Sequence, residues 1–207
     1  MPRFQKTANY TEEAKRLGIY DPNRKLCILI ASSPSWLKDF DGFKAKFPDI
    51  KFDVIAINKT LMRTEKVDHW CSMHPRSHID AGSLSWKQAR LDRGWDNDFK
   101  AHSPRVPAGK VKMKEKHWTK YIDYIWSSSM RLGSSSMFGM GVAIGMGYSG
   151  IVVCGVSLTG KYRRYLRIWN EFQRRYPDYA RCQSGIVKKS MGCPTEEWIN
   201  KKMGVVK

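Results

Sequence analysis

The residues best suited to chemistry fall in a few short stretches. Gly133-Ser134-Ser135-Ser136 opens a helix-like run, and free backbone N–H groups beside small hydroxyls at a helix N-terminus suit a phosphate or carboxylate. Simple N-capping by serine accounts for the same residues. A second stretch, Asp68-His69-Trp70-Cys71-Ser72-Met73-His74-Pro75-Arg76-Ser77-His78, gathers His69, Cys71, His74 and His78 within ten residues, so zinc is the first chemistry to test. The spacing matches no standard zinc pattern, and strand alternation puts His69 and Cys71 on one face with His74 beyond its end. The expectation is no metal and a single catalytic histidine, His74, acting at a strand end as acid, base or phosphate contact.

A third stretch runs from Lys161 to Tyr179. Lys161, Arg163, Arg164, Arg167, Arg174 and Arg175 are interleaved there with Tyr162, Tyr165, Trp169 and Phe172. Cations neutralise phosphates and aromatics stack on bases. Yet Tyr165, Ile168, Trp169 and Phe172 recur at helical spacing, which turns most of the aromatics toward a core and leaves the arginines outside. Arg163, Arg164 and Arg167 are therefore the expected polyanion contacts, together with Lys110, Lys112, Lys114 and Lys116. Those four lysines lie in a stretch, 100–120, whose other charges are Lys100, Arg105, Lys120 and a single acid, Glu115. With Pro104, Pro107 and Gly109 it reads as an exposed loop or flap.

The elements that must position these residues are legible as apolar runs. Leu26 to Ala31 is continuous and apolar, as a strand buried on both faces requires, and it ends in Ser32-Ser33-Pro34-Ser35. A helical segment from Trp36 to Phe47 follows. Asp53 to Ile57 forms a second strand ending at Asn58, and Asp68 to Met73 a third. Met137 to Met146 is a helix and Ile151 to Val156 another strand. Strands alternating with helices predict an α/β domain with a mainly parallel sheet flanked by helices. Ligands bind beyond the carboxyl ends of such strands, which here carry Ser32 to Ser35, Asn58, His74 and Ser157. Residues 1–24 read as an N-terminal arm holding one short helix near Thr11, and 25–207 as the nucleotide-binding domain. Pro194 and Thr195-Glu196-Glu197 start a last helix. Gly139-x-Gly141 falls within a helix and not in a strand-to-helix turn, so it is no dinucleotide fingerprint. Its glycines permit close helix–sheet packing instead.

Composition narrows the partners. Thirty-seven Lys and Arg against nineteen Asp and Glu give a formal charge of +18, which concentrates polyanions such as nucleic acid, nucleotide phosphates or anionic glycans; net charge for solubility alone is the plainer account. Five scattered cysteines without a CxxC, and no secretory leader at Met1, fit a reducing cytoplasm. Met137 to Leu158 carries no charge and is long enough to span a bilayer. Its glycines and the central Gly147-Tyr148-Ser149-Gly150 break it into a helix and a strand, so no membrane span is expected.

Taken in order, these pieces resemble a Rossmann-like superfamily that includes the sialyltransferases of glycosyltransferase family 42 and the motility-accessory-factor (DUF115-like) proteins. The likeness is strongest to uncharacterised relatives in phages and proteobacteria. It rests on Ser-Ser-Pro-Ser after the first strand, Ile57-Asn58, Asp68 to Pro75, Gly133 to Met137 and Ile151 to Leu158. Arg181-Cys-Gln-Ser-Gly185 and Gly192-Cys-Pro-Thr-Glu-Glu-Trp198 extend it to the end. The resemblance implies a transferase that takes a nucleotide-activated sugar without metal or other cofactor, and together with the +18 charge it leads to the expectation of a polyanionic acceptor such as modified DNA. Its donor contacts would fall on Ser33, Ser35, Asn58, Ser134, Ser135, Ser136 and Tyr162, with Tyr165 the alternative to Tyr162 near the phosphate. The first turn carries Ser-Ser where those enzymes have Asn-Gly, and His74 stands where they carry an amide. No histidine follows His117, so their late catalytic histidine has no counterpart. A general base would be His74, His102, His117 or a carboxylate. The alternative reading is a non-catalytic nucleic-acid-binding protein on the same fold.

Overall fold

Leu26–Ile30 (β1), Asp53–Ile57 (β2) and Gly150–Cys154 (β6) are the aliphatic runs, and each is buried nearly from end to end. They form the centre of a seven-stranded sheet in a computed structural model that describes residues 9–74, 85–105, 121–127 and 133–205. His69–Cys71 (β3), Lys100–Pro104 (β4), Tyr124–Trp126 (β5) and Ala180–Cys182 (β7) complete it, in the order β5-β4-β3-β2-β1-β6-β7. Every pairing is parallel. The order runs outward from β1 through β5 and then resumes on the other side of β1 with β6. That reversal lies between β1 and β6, where a parallel α/β sheet opens its ligand crevice.

The helices are Tyr10–Arg16 (α1), Trp36–Lys46 (α2), Ser85–Leu91 (α3), Ser135–Met146 (α4), Leu166–Arg175 (α5), Lys188–Met191 (α6) and Glu196–Met203 (α7). Cys27, Leu29, Ile55, Ile57 and Cys71 face α4, with Tyr10, Trp169 and Phe172 in the same cluster. The opposite residues of β1, Leu26, Ile28 and Ile30, pack with Phe43 of α2 and Trp198 of α7. Alternation thus supplies two cores from one run. Cys27 and Cys154 are fully buried, and burial pushes both thiols well up, so they act as small hydrophobes.

The uncharged run from Met137 to Leu158 divides as expected. Helix α4 stops at Gly147, whose left-handed φ of 94° closes it, and β6 follows. No helix among the described residues is long and apolar enough to cross a membrane. The last helix starts where Thr195 caps it, its hydroxyl accepting from the Trp198 N–H at 3.2 Å. Asn9 caps α1 in the same way.

Close packing is the role of the helix glycines. A Cβ on Gly139 would meet Ile57 Cδ1 at 2.6 Å and Leu29 Cδ1 at 3.0 Å, so α4 rests on the sheet itself. On Gly145 it would meet the carbonyl oxygen of Tyr10 at 2.7 Å and the Trp126 ring at 2.9 Å. Methyl tips can swing away and a backbone oxygen cannot. Gly145→Ala is therefore expected to destabilise by roughly 2–3 kcal/mol and Gly139→Ala by nearer 1, as chemical denaturation of the two variants would show. Equal losses, or none, would mean that α1 can slide along α4.

Two expectations need correction. Lys100–Pro104 is not loop but β4, paired with β3 through His69↔Lys100 and Cys71↔His102. Its Lys-Ala-His-Ser-Pro sequence has no aliphatic alternation; neighbouring strands and Trp126 supply the burial. Lys110, Lys112, Lys114, Lys116 and His117 lie outside the described residues. The basic segment is also not one helix: Gly160–Tyr165 forms a 3-10 turn before α5 begins. As expected, Trp169 and Phe172 face the core, while Arg163, Arg164 and Arg167 are exposed.

Candidate functional site

The carboxyl ends of β1, β2, β3 and β6 and the N-terminus of α4 meet at one edge of the sheet. At β1, the ladder to β6 continues past the strands: Ala31 N–H donates to Cys154 O (2.9 Å) and Ser33 N–H to Gly155 O (3.1 Å). Gly155 has φ +70°, and a Cβ there would run into the carbonyl oxygen of Ala31 and, at 2.6 Å, Trp36 Cβ. Only glycine lets the two strand ends approach so closely.

The sequence reasoning missed the residue that holds this junction. Asp39, in the first turn of α2, is 7% exposed. Its Oδ2 accepts from Gly155 N–H (2.9 Å), Ser35 Oγ (3.2 Å) and Ser184 Oγ (2.7 Å). Among the described residues it has no Lys or Arg partner. A buried carboxylate without a countercharge is tolerable because three donors replace its water. Ser35 is thereby spoken for: its hydrogen points at Asp39. The local signal was the Ser35-x-x-x-Asp39 spacing, one helical turn; the long-range signal, Ser184, was invisible.

At β2, Asn58 adopts a left-handed φ of 53°. Its carbonyl accepts from Trp70 Nε1 (3.0 Å) and its amide oxygen Oδ1 from Ser72 Oγ (2.9 Å). Ser72 Oγ in turn accepts from the His74 N–H at 3.1 Å. His74 is exposed just past β3. One residue earlier, Met73 N–H donates to Ser135 Oγ (3.1 Å), so the end of β3 is tied to the first turn of α4. Ser134 caps that helix, accepting from Met137 N–H at 3.2 Å. Ser33 and Ser136 are half-buried. The structure thus links Asn58, His74, Ser134 and Ser135 through one chain of hydrogen bonds and neighbouring residues, with Ser33 and Ser35 on the adjacent strand end.

The other suggested bases separate from this edge. His102 is fully buried in β4, where Trp126 Nε1 donates to its Nδ1 (3.1 Å) and its Nε2 faces His69 Nδ1 (3.0 Å). It has no path to an acceptor hydroxyl at the strand ends. His69 and Cys71 do share one face of β3, but that face meets His102 and α4. Among the described residues no three His, Cys, Asp or Glu side chains gather as metal ligands; His78 lies outside them.

Beyond β6, Tyr162 is 52% exposed and stacks on Tyr165, the centroids 6.4 Å apart. Arg164 lies over the Tyr165 ring and donates to its hydroxyl at 3.0 Å. Among the described residues Arg163, Arg164 and Arg167 make no ion pair.

The solved structures supply a match to this architecture. The sialyltransferase CstII from Campylobacter jejuni, in complex with a substrate analogue, cytidine-5'-monophosphate, superimposes with a TM-score of 0.59. The alignment covers 88% of this chain and 100% of that one at 12% identity. The fold is glycosyltransferase-like. No protein-family model and no curated protein matches by sequence. The expected likeness to the sialyltransferases of family 42 is met in the fold alone, and no sequence match supports the motility-accessory-factor or phage relatives.

Proposed function

We propose that this glycosyltransferase-like chain binds a nucleotide and transfers a group from a nucleotide-activated sugar, without a metal, to a polyanionic acceptor such as modified DNA. The observation that carries the reading is the convergence of Ser33, Asn58, His74 and the serines opening α4 at the carboxyl edge of a fully parallel sheet, beside its reversal of strand order. A fold neighbour that holds cytidine-5'-monophosphate supports the nucleotide. In this reading Ser33, Ser136 and Tyr162 offer hydroxyls to the donor, and the exposed His74 accepts the acceptor's proton.

One observation favours a second reading. With His102 and His69 buried and paired with each other, His74 is the accessible imidazole among the described residues. Arg163, Arg164 and Arg167 meanwhile are exposed and make no ion pair among the described residues. A nucleic-acid-binding protein that keeps the fold without catalysis would look the same there.

Thermal melting with CMP, UDP, GDP and their sugar conjugates, with and without EDTA, separates the two. The donor-binding reading expects one nucleotide class to raise the melting temperature by several degrees, unaffected by EDTA. No shift with any nucleotide, alongside tight salt-dependent binding of DNA or RNA, would leave the non-catalytic reading standing.

A further inference from the structure

The polarity of Asn58 is set by the hydrogen bonds around it. A primary amide offers one acceptor and two donors, and rotation by half a turn exchanges them. Here Ser72 decides which end faces the cleft. Its hydroxyl is fully buried and has one hydrogen to give. It accepts from the His74 N–H at 3.1 Å, so that hydrogen is free for Asn58 Oδ1, 2.9 Å away. If the amide flipped, its NH2 could use the second lone pair of Ser72 Oγ, but the Ser72 hydrogen would lose Asn58 Oδ1 as its acceptor and be left buried without one. The backbone of Asn58 cannot adjust to compensate. It is held left-handed, with its carbonyl taken by Trp70. The Nδ2 amino group is thus the end left for a ligand, with no partner among the described residues.

We infer that Ser72 is a positioning residue that fixes Asn58 as a hydrogen-bond donor, and that the ligand atom it meets is an oxygen without a hydrogen, on the phosphate or on the pyrimidine base. This rests on the proposed nucleotide site and adds the polarity of one contact to it. A ribose hydroxyl could adapt to either end of the amide; a phosphate or base carbonyl oxygen cannot.

The test is a double-mutant cycle read by calorimetric titration with CMP and with cytidine. Asn58→Asp keeps the shape and replaces the donor by a second acceptor, so CMP affinity should fall more than about tenfold. Ser72→Ala frees the amide to turn and should cost about fivefold. In the double variant the loss should be no greater than for Asn58→Asp alone, because a carboxylate has no donor end for Ser72 to orient. A merely structural Ser72 would lower affinity equally in both backgrounds. Full addition of the two losses, or CMP binding by Asn58→Asp as tight as wild type, overturns the inference while leaving the nucleotide site intact. Should the wild-type chain bind neither CMP nor cytidine, this inference falls, and the nucleotide reading falls with it only when UDP, GDP and their conjugates also fail to bind. If the losses appear with CMP and vanish with cytidine, the oxygen belongs to the phosphate; if they are the same with both, to the base.

Discussion

Arg90→Ala is expected to lower the melting temperature on the order of 10 °C, a loss of about 3–5 kcal/mol. Arg90, in α3, is fully buried, with no carboxylate bonded to it among the described residues. Its guanidinium instead donates to four carbonyls: Leu61 O (2.7 Å) and Thr64 O (2.8 Å) through Nη1, Glu65 O (2.7 Å) through Nη2, and Asp96 O (2.8 Å) through Nε. The rings of Trp95 and Phe99 cover it. Truncation to alanine opens a cavity and leaves four partly buried carbonyls without a donor. Arg90→Lys keeps the charge but not the fork, so it should recover less than half of the loss. The consequence reaches the site, because residues 61–65 continue directly from Asn58, and CMP binding should weaken in both variants. Circular dichroism melts would check the stability effect. A shift within about 2 °C for Arg90→Ala would mean that the loop holds itself.

A second large effect concerns acid. Between about pH 6.5 and pH 4 the chain should lose on the order of 3 kcal/mol of stability through His69 alone, with His102 adding to the loss in the same direction. Burial drives His69 down to about 4, with the nearby Arg24 cation adding to it and Asp53 opposing. Burial and the neighbouring His69 and Arg24 hold His102 well below its ordinary value. The hydrogen bonds explain why neither ring welcomes a proton. An indole N–H only donates, so His102 Nδ1 is an acceptor and its hydrogen sits on Nε2, pointing at His69 Nδ1. A proton on His102 Nδ1 would face the Trp126 N–H, and one on His69 Nδ1 would face the His102 N–H. The unfolded chain takes up protons freely below its ordinary value near 6.5 and the folded chain does not, so stability is complete above that pH and drains away as pH falls toward 4. Urea midpoints at half-unit pH steps would trace the limb. His69→Gln, which can still accept from His102, should remove the share of the limb that belongs to His69 and leave that of His102, whose own burial still holds it low. A wild-type midpoint unchanged from pH 7 to pH 4 would show that the pair is solvated or already charged.

The junction at Asp39 bears on how the two sides of the cleft stay together. It gathers α2, the end of β6 and the residue two beyond β7, and among the described residues it acts without a cation. In a chain of net charge +18 a buried anion free of Lys and Arg is unusual in placement, and it also means that the Ser35 turn presents no net positive charge to a ligand. Anion contacts are better supplied from the α4 side, where Asn58, Ser134 and Ser136 stand.

The amino-acid sequence by itself determined the elements whose burial is complete. Leu-Cys-Ile-Leu-Ile and Gly-Ile-Val-Val-Cys are apolar on both faces, so they could only be central parallel strands. The glycines of α4 announced a helix pressed against its neighbours, and the Thr195 cap announced where α7 starts. Strand ends follow from strands, which is why Ser33, Asn58 and His74 were legible as candidates at that edge. Only the tertiary structure decided the rest. The third strand was legible between Asp68 and Met73 and shortens to His69–Cys71, but β5 and β7 have three residues each, too short for any periodicity, and β4 carries Lys, His and Pro; these are strands because a neighbour's ladder extends over them. The contacts that set the chemistry join residues far apart in the chain, as Asp39 with Ser184 across 145 positions and His69 with His102 across 33. Local pattern carries the free energy of burying a face; it carries no information about which distant donor will satisfy a particular buried acceptor. That pairing is fixed when the strands align in register, and it placed Asp39, Arg90 and Ser72 in the hydrogen bonds that hold the candidate site's surroundings together.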